Sequence, residues 1–201
     1  MTGCSLGEDD DAAMKVLIMY TLLARNHAGS QAAMNILIAQ NIVRANNASI
    51  NSNLGITFSL AYSELTTYVE ATAAAGGSGT DLSRLRNKTD GFMDNVHTLR
   101  NTYSADFVHL FSFIDDTGGL GYKLKTQSGR EDLAFALSRV QQISTTDTFI
   151  HELGHNMSAS HASGQNVQPG PTTWQDWPGN TWTAGWRFQG NNEVYYTTLM
   201  A

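Results

Sequence analysis

His151, Glu152, His155 and His161 are the residues of this chain whose types and spacing could do chemistry. On a helix, residues four apart lie one turn above another on the same face, so His151 and His155 can offer two imidazole nitrogens to one metal ion. Glu152 lies one position round from His151. There it can reach a metal-bound water without being forced into the coordination sphere, the arrangement of a zinc hydrolase that uses glutamate as its base. His161 follows His155 by six residues, and a continuous helix would carry it to another face. For three imidazoles to converge, the helix must break between His155 and His161.

The elements that must position these residues are legible on the N-terminal side. Residues 15–21 form a short apolar run of strand length, fit for burial on both faces. Ser30 precedes a long segment in which Ala33, Ile36, Leu37 and Val43 recur at helical spacing up to Asn46-Asn47, predicting a core-packing helix. Residues 54–62 alternate apolar and polar side chains and predict a second strand, parallel to the first if the crossover is right-handed. Residues 71–80 are small and glycine-rich and read as a flexible loop; they lack the lysine and fixed spacing of a phosphate-binding loop. A second helix is expected from 90 to 103, with Phe92, Val96, Leu99 and Tyr103 on one face and His97 structural or exposed. Residues 105–114 predict a central strand, 115–122 a glycine-rich turn, and 133–140 a strand leading into the histidine helix. Thr145, Thr146 and Asp147 offer cap-type side chains for the start of that helix.

At 201 residues the chain fits one domain with a sizeable core, or one large and one small lobe. A net charge of -6 without a Lys/Arg-rich stripe argues against nucleic acid as the main partner. The charged fraction is low and Gly, Asn, Ser and Thr are abundant, which suits a loop-rich secreted protein better than a helical cytosolic one. The single cysteine, Cys4, excludes an internal disulfide framework. No apolar run approaches the ~18 residues of a membrane span. Met1-Thr2-Gly3-Cys4 carries no leader but reads like the end of a bacterial lipoprotein signal, so Cys4 is either a lipid-anchor site or incidental. The acidic run at 8–11 reads as a solvated tail; a Ca2+ site there is the sharper alternative and has no other support.

The signature extends beyond the helix. His-Glu-x-x-His with a third histidine six residues on and Met200 downstream resembles the zinc signature of the metzincin metallopeptidases. Several further stretches follow the order of the bacterial reprolysin-like group, and within it of the peptidyl-Asp metallopeptidases. They are Met14-x-Val16-Leu17-Ile18-x-Tyr20-Thr21, the long helix, Asp90-Gly91-Phe92-Met93-Asp94, His97-Thr98-Leu99-Arg100, Ala105-Asp106, Gly119-Leu120-Gly121-Tyr122, Thr148-Phe149-Ile150 and Tyr196-Thr197-Thr198-Leu199-Met200-Ala201. The resemblance covers nearly the whole chain. It implies an α/β (α+β) metzincin-like fold: a twisted mixed sheet with two packing helices, a zinc helix and an irregular C-terminal lobe. An acidic tail at 1–14 would precede a catalytic domain at 15–201, divided into an N-terminal lobe at 15–157 and a C-terminal lobe at 158–201.

The same resemblance implies one catalytic Zn2+ held by His151, His155 and His161, with Glu152 as general base and then acid and Met200 in a supporting turn. Substrate would lie extended along the edge strand near residues 133–140, pairing with the backbone around Ala134 and Phe135. Arg187 would meet an acidic side chain following the scissile bond. Ser158 stands where the family has glycine. A left-handed conformation there costs about 1–2 kcal/mol, offset in part if the hydroxyl bonds nearby backbone. The family commonly carries cysteines where this chain has Gly118 or Gly119, and an aspartate where it has Ala162, so no disulfide is expected to brace this site. Their fold continues into a C-terminal helix, and a chain ending at Ala201 is expected to be truncated.

The expected function is therefore zinc-dependent hydrolysis of peptide bonds in a peptide or protein substrate, by a monomer. Zinc can lower the pKa of water from about 15.7 to about 7. Glu193 is the alternative third ligand of a gluzincin-type site, but its surroundings have no helical pattern to present it. Trp174, Trp177, Trp182 and Trp186 read as a local core for irregular chain, or as a sugar or peptide subsite. The competing functions are a catalytically impaired, zinc-stabilised protein-binding module and a sugar-binding protein.

Overall fold

The computed structural model describes residues 12–124, 130–166, 168–171, 184–185, 187–189 and 195–200. Cys4, the acidic run at 8–11, the four tryptophans and Glu193 lie outside the described residues. The chain forms a five-stranded sheet in the order β2-β1-β3-β5-β4, layered between helices. Strand β1 (Ala12–Tyr20) occupies an interior position, and its alternation divides the core. Val16, Ile18 and Tyr20 face one cluster, while Leu17 and Met19 face the other. The strand starts at Ala12, three residues before Lys15.

On the first face pack α1 (Leu22–Ala28), α2 (Gln31–Asn51) and α5 (Thr148–Asn156), through Ala24, Met34, Ile38, Ala45, Phe149 and Leu153. On the second pack α3 (Gly77–Arg86) and α4 (Asn95–Thr102), through Leu82, Leu85 and Val96. Burial on both faces explains why β1 and β3 (Phe107–Ser112) read as apolar runs rather than alternating strands. Strand β2 (Ile56–Leu65) is parallel to β1, as the crossover argument required, and β3 pairs in parallel with both β1 and β5 (Phe135–Arg139).

Several expectations are corrected. Among the described residues four helices pack on the sheet besides the histidine helix, not two. Residues 71–80 are not a flexible loop: a 3-10 turn at Ala73–Ala75 leads into α3. Gly76 (φ 97°) and Gly77 (φ 54°) provide the positive-φ entry to this helix. The segment is then tied down by Asp116, which accepts from the Ser78 backbone and hydroxyl, and by buried Asp81, which accepts from Tyr68 Oη and Ala71 N. The second helix starts at Asn95 rather than 90, because Met93 holds φ 54° and interrupts helical geometry. Phe92 and Tyr103 are consequently exposed rather than on a buried face, Phe92 lying beneath the Arg84 guanidinium at 3.8 Å. Helix α1 escaped the periodicity reading because it is short; Thr21 caps it by accepting from Ala24 N at 3.1 Å.

The correction that matters for function concerns the sheet edge. Strand β5 lies between β3 and β4, so it is not the edge. The edge is β4 (Gly119–Gly121), antiparallel to β5, within the segment that reads as a turn by sequence. Its strand character comes from pairing with β5, since two glycines in three residues give it no intrinsic preference. A two-stranded ribbon, β6 (Arg187–Gln189) with β7 (Tyr195–Thr197), precedes the turn at Leu199 and Met200.

Candidate metal centre and catalytic cleft

Helix α5 begins after Asp147, whose carboxylate makes no cap bond and instead pairs with Arg44 of α2 at 3.7 Å. Arg44 also donates to the carbonyls of Thr146 (2.8 Å) and Ser144 (2.7 Å), so the helix start is held from α2 rather than by the expected caps. Phe149, Ile150 and Leu153 bury one face of α5 against the sheet, and the opposite face presents His151 and His155.

The helix ends where convergence of the histidines demands. Ser158 adopts φ 79°, its N–H donates to His155 O at 2.9 Å, and the next N–H, of Ala159, donates to Gly154 O at 2.8 Å. These two bonds form a Schellman turn with serine in the left-handed position that usually belongs to glycine. Ser158 is 1% exposed and its hydroxyl has no partner, so the expected relief of strain through a backbone bond is absent.

The turn carries His161 back over the helix. Its Nε2 lies 3.1 Å from Nε2 of His151 and 3.1 Å from Nε2 of His155. Each remaining ring nitrogen meets a backbone carbonyl: His151 Nδ1 at Leu199 O (2.5 Å), His155 Nδ1 at Ala159 O (2.9 Å) and His161 Nδ1 at Gln168 O (3.0 Å). A carbonyl only accepts, so every Nδ1 carries the proton and every Nε2 presents a lone pair. Three lone pairs facing one another repel unless a cation lies among them. Tetrahedral zinc with Zn–N near 2.0–2.1 Å separates its nitrogen ligands by about 3.3 Å, and the donor set therefore fits a zinc ion. Burial lowers the pKa of His151, and that of His155 to about 4, which favours the neutral form that a metal needs.

Glu152 is 5% exposed and borders the same cleft. Burial raises its pKa to about 8, and a divalent cation beside it would pull the carboxyl back toward ionisation. Strand β4 passes directly over it. A Cβ on Gly119 would lie 2.6 Å from Glu152 Oε1, and one on Gly121 would lie 2.7 Å from Glu152 O. Only glycine permits this approach of edge strand to helix. Met200 underlies α5: a Cβ on Gly154 would meet its sulfur at 2.8 Å, and Met200 O accepts from Ala162 N at 3.0 Å. Thus the Leu199–Met200 turn both holds the His151 ring and packs beneath the helix.

The cleft, about 940 Å³, is lined by residues 117–121, Lys123, Thr148, the three histidines, Glu152 and Leu199. Ala134 and Phe135 are not in it. Ala134 lines a separate groove with Arg100 and Met157, and Phe135 is 1% exposed, packed against the His97 ring at 5.3 Å. Arg187 opens β6, its backbone paired with Thr197. Residue reading from sequence missed Gly119 and Gly121, whose value lies in side chains they lack, and Asn156. The Asn156 amide nitrogen reaches the carbonyls of Tyr122 (2.7 Å), Leu133 (3.0 Å) and Phe135 (3.1 Å), joining the end of α5 to β4 and β5.

A three-imidazole cradle at a helix end, with a carboxylate one residue inside it and a mixed sheet above, has the donor set that a metallohydrolase site uses. Comparison with known proteins places it further: the chain belongs to the reprolysin-like metallopeptidases of family M12B, whose profile matches residues 37–162. A peptidyl-Asp metalloendopeptidase of Xanthomonas campestris is 33% identical over 85% of the chain and 39% of its own length. One from Stenotrophomonas maltophilia is 30% identical over 94% of the chain and 42% of its own length. The chain thus spans about two fifths of these curated relatives. A solved chain from a structure of a chaperone–substrate complex shares the fold, with a TM-score of 0.59 at 16% identity over 82% of this chain and 26% of that one.

Proposed function

We propose that this chain is a zinc-dependent endopeptidase, with His151, His155 and His161 as metal ligands and Glu152 as general base and acid. The observation that carries the reading is the convergence of three Nε2 lone pairs beside a buried carboxylate. When bound, zinc supplies a Lewis acid for a peptide carbonyl and a water of lowered pKa. Glu152 takes the water's proton during attack and passes it to the leaving amine, a role suited to a carboxyl whose pKa is tuned upward from its ordinary range. Among the described residues β4 is the outermost strand of the sheet and runs along the cleft, where an extended peptide can add as a further strand and present its carbonyl to Glu152. Burial of Glu152 keeps bulk water from competing for the proton. The Leu199–Met200 turn fixes the His151 ring.

The relatives' name extends to this chain as a preference for peptides bearing aspartate. An exported location is part of the same reading; among the described residues no helix is long and apolar enough to cross a membrane. Metal analysis and cleavage of an unfolded protein substrate test the proposal. One zinc per chain is expected, with cleavage abolished by chelation. Glu152→Gln should keep its zinc and lose about 10²–10⁴-fold in rate. Undiminished cleavage by Glu152→Gln, or full zinc content in His161→Ala, overturns it.

A further inference from the structure

Two side chains meet the same point of strand β4 from below. A Cβ on Gly119 would lie 2.6 Å from Oε1 and 2.8 Å from Cγ of Glu152, and also 2.8 Å from the methyl carbon Cγ2 of Thr148. Thr148 and Glu152 are four residues apart on α5, so they lie one turn above another on one face of the helix, and both line the cleft. Hydrogen bonds fix the orientation of Thr148. Gln142 Nε2 donates to Thr148 Oγ1 at 2.8 Å, the hydroxyls of Thr148 and Thr146 lie 2.9 Å apart, and Thr146 Oγ1 donates to Gln142 O at 3.0 Å. A carbonyl only accepts, so the Thr146 proton is committed to Gln142 O and Thr148 donates to Thr146. The three bonds make a closed ring that begins and ends on Gln142. The Gln142 amide is itself held under the edge strand, where a Cβ on Gly118 would lie 2.7 Å from its Nε2.

We propose that Thr148 is a positioning residue for Glu152: its methyl, oriented by the hydroxyl ring that closes on Gln142, is the side wall against which the Glu152 carboxylate is set. The inference rests on the endopeptidase reading above and deepens it. Threonine in a helix divides between two χ1 rotamers. The ring selects the one that turns the hydroxyl towards Thr146 and Gln142 and leaves the methyl at the point shared with Glu152 beneath Gly119. A methyl offers the carboxylate no proton, so it limits where the carboxylate can sit without occupying the lone pairs that must take up the proton of water. The glutamate has three side-chain rotors, and the strand above with the methyl beside it removes positions that an open cleft would leave accessible.

Two conservative variants separate the methyl from the hydroxyl: Thr148→Ser keeps the hydroxyl and loses the methyl, whereas Thr148→Val keeps a methyl and loses the hydroxyl. Cleavage of a quenched peptide, zinc content and thermal melting are measured for both, for Gln142→Met and for the Gln142→Met/Thr148→Val double variant, all zinc-loaded. Thr148→Ser is expected to lower kcat by roughly tenfold or more at unchanged KM, with zinc retained and melting little changed, because small displacements of a reacting group are costly. Thr148→Val should melt at a lower temperature, having stripped Gln142 and Thr146 of a partner, yet keep kcat within about threefold of wild type. Gln142→Met releases the Thr148 rotamer and should lower kcat on its own, but add no further loss to Thr148→Val, whose branches are both methyls. Activity and stability then fall in opposite order in the two Thr148 variants, which a threonine serving the fold alone does not produce. A Thr148→Ser variant that retains kcat, a Thr148→Val variant that loses as much kcat as Thr148→Ser, or kcat losses that follow melting temperature across the set overturn the assignment while leaving the peptidase reading intact. Absence of chelator-sensitive cleavage by wild type overturns both.

Discussion

Ser158 is the sharpest place to test the energetics of the site. Its φ of 79° is the left-handed region, where a residue with a Cβ pays about 1–2 kcal/mol relative to its preferred conformations. Its hydroxyl is buried without a partner, a desolvation cost of about 1–3 kcal/mol. Glycine removes both costs and gives back about 0.5–1 kcal/mol through its larger loss of backbone freedom on folding. Ser158→Gly is therefore expected to stabilise the chain by about 1–4.5 kcal/mol, the sum of these ranges. Ser158→Ala keeps the strain and removes the hydroxyl, so it should stabilise by less, about 1 kcal/mol. For a domain of this size each kcal/mol corresponds to roughly 2–4 °C of melting temperature. Thermal and urea unfolding of all three proteins, metal-free and zinc-loaded, separates the contributions. Both variants should keep their zinc, since the two backbone bonds of the Schellman turn involve no side chain. Two outcomes refute the reasoning: Ser158→Gly less stable than wild type, which would mean the turn is unstrained, or Ser158→Ala more stable than Ser158→Gly.

Further predictions follow from the same geometry. Gly119→Ala drives a methyl into Glu152 and should lower kcat/KM by about 10²-fold through misplacement of the carboxylate, with zinc content unchanged by metal analysis. Asn156→Ala leaves carbonyls of Tyr122, Leu133 and Phe135 without their shared donor, and urea unfolding should register a loss of about 2–4 kcal/mol. Fully buried His109, bonded to Ser138 Oγ at 2.8 Å, has its pKa lowered by desolvation to about 3. The unfolded chain, with an ordinary value near 6.5, takes up this proton first, so the stability is complete above that pH and is lost as pH falls towards 3. Between pH 6.5 and 5 the loss is about 2 kcal/mol, and the metal-free His109→Gln chain should be free of that part of the slope.

What the sequence shows of this fold is whatever periodicity and motif spacing can carry. The apolar runs of β1 and β3 are legible because burial on both faces leaves no polar alternation. The histidine spacing is legible because a helix turn and a break are the only ways to bring three rings together. The position of His161 requires only a break between His155 and His161; the resemblance places the turn at Ser158, since Ser158 stands where the family has glycine. Helix α3 was hidden because its leading glycines read as loop, whereas Leu82 and Leu85 and the Asp81 and Asp116 contacts decide its structure. The long second helix was overextended because Phe92, although apolar, is covered by Arg84 instead of the core. Tertiary partners settle each of these cases, and no local window contains those partners.

The sheet edge is the instructive failure, since it concerns function directly. A strand is recognised by the side chains it packs, and β5, with four buried residues in five, looks more like a substrate platform than β4 does. Yet β5 is buried because β4 covers its edge, and β4 can cover it closely because Gly119 and Gly121 carry no side chain above Glu152. The same logic applies beneath the helix, where Gly154 admits the sulfur of Met200. Edge strand, helix and supporting turn are thus stacked at distances that a single methyl group would open, and both the Glu152 carboxylate and the His151 ring take their positions from that stack. Chemistry in this site is specified by the residues with functional groups, but its precision is specified by the residues without them. Substitutions at these three glycines should therefore injure catalysis more than their distance from the metal ligands' own chemistry suggests, and should do so with the zinc still in place.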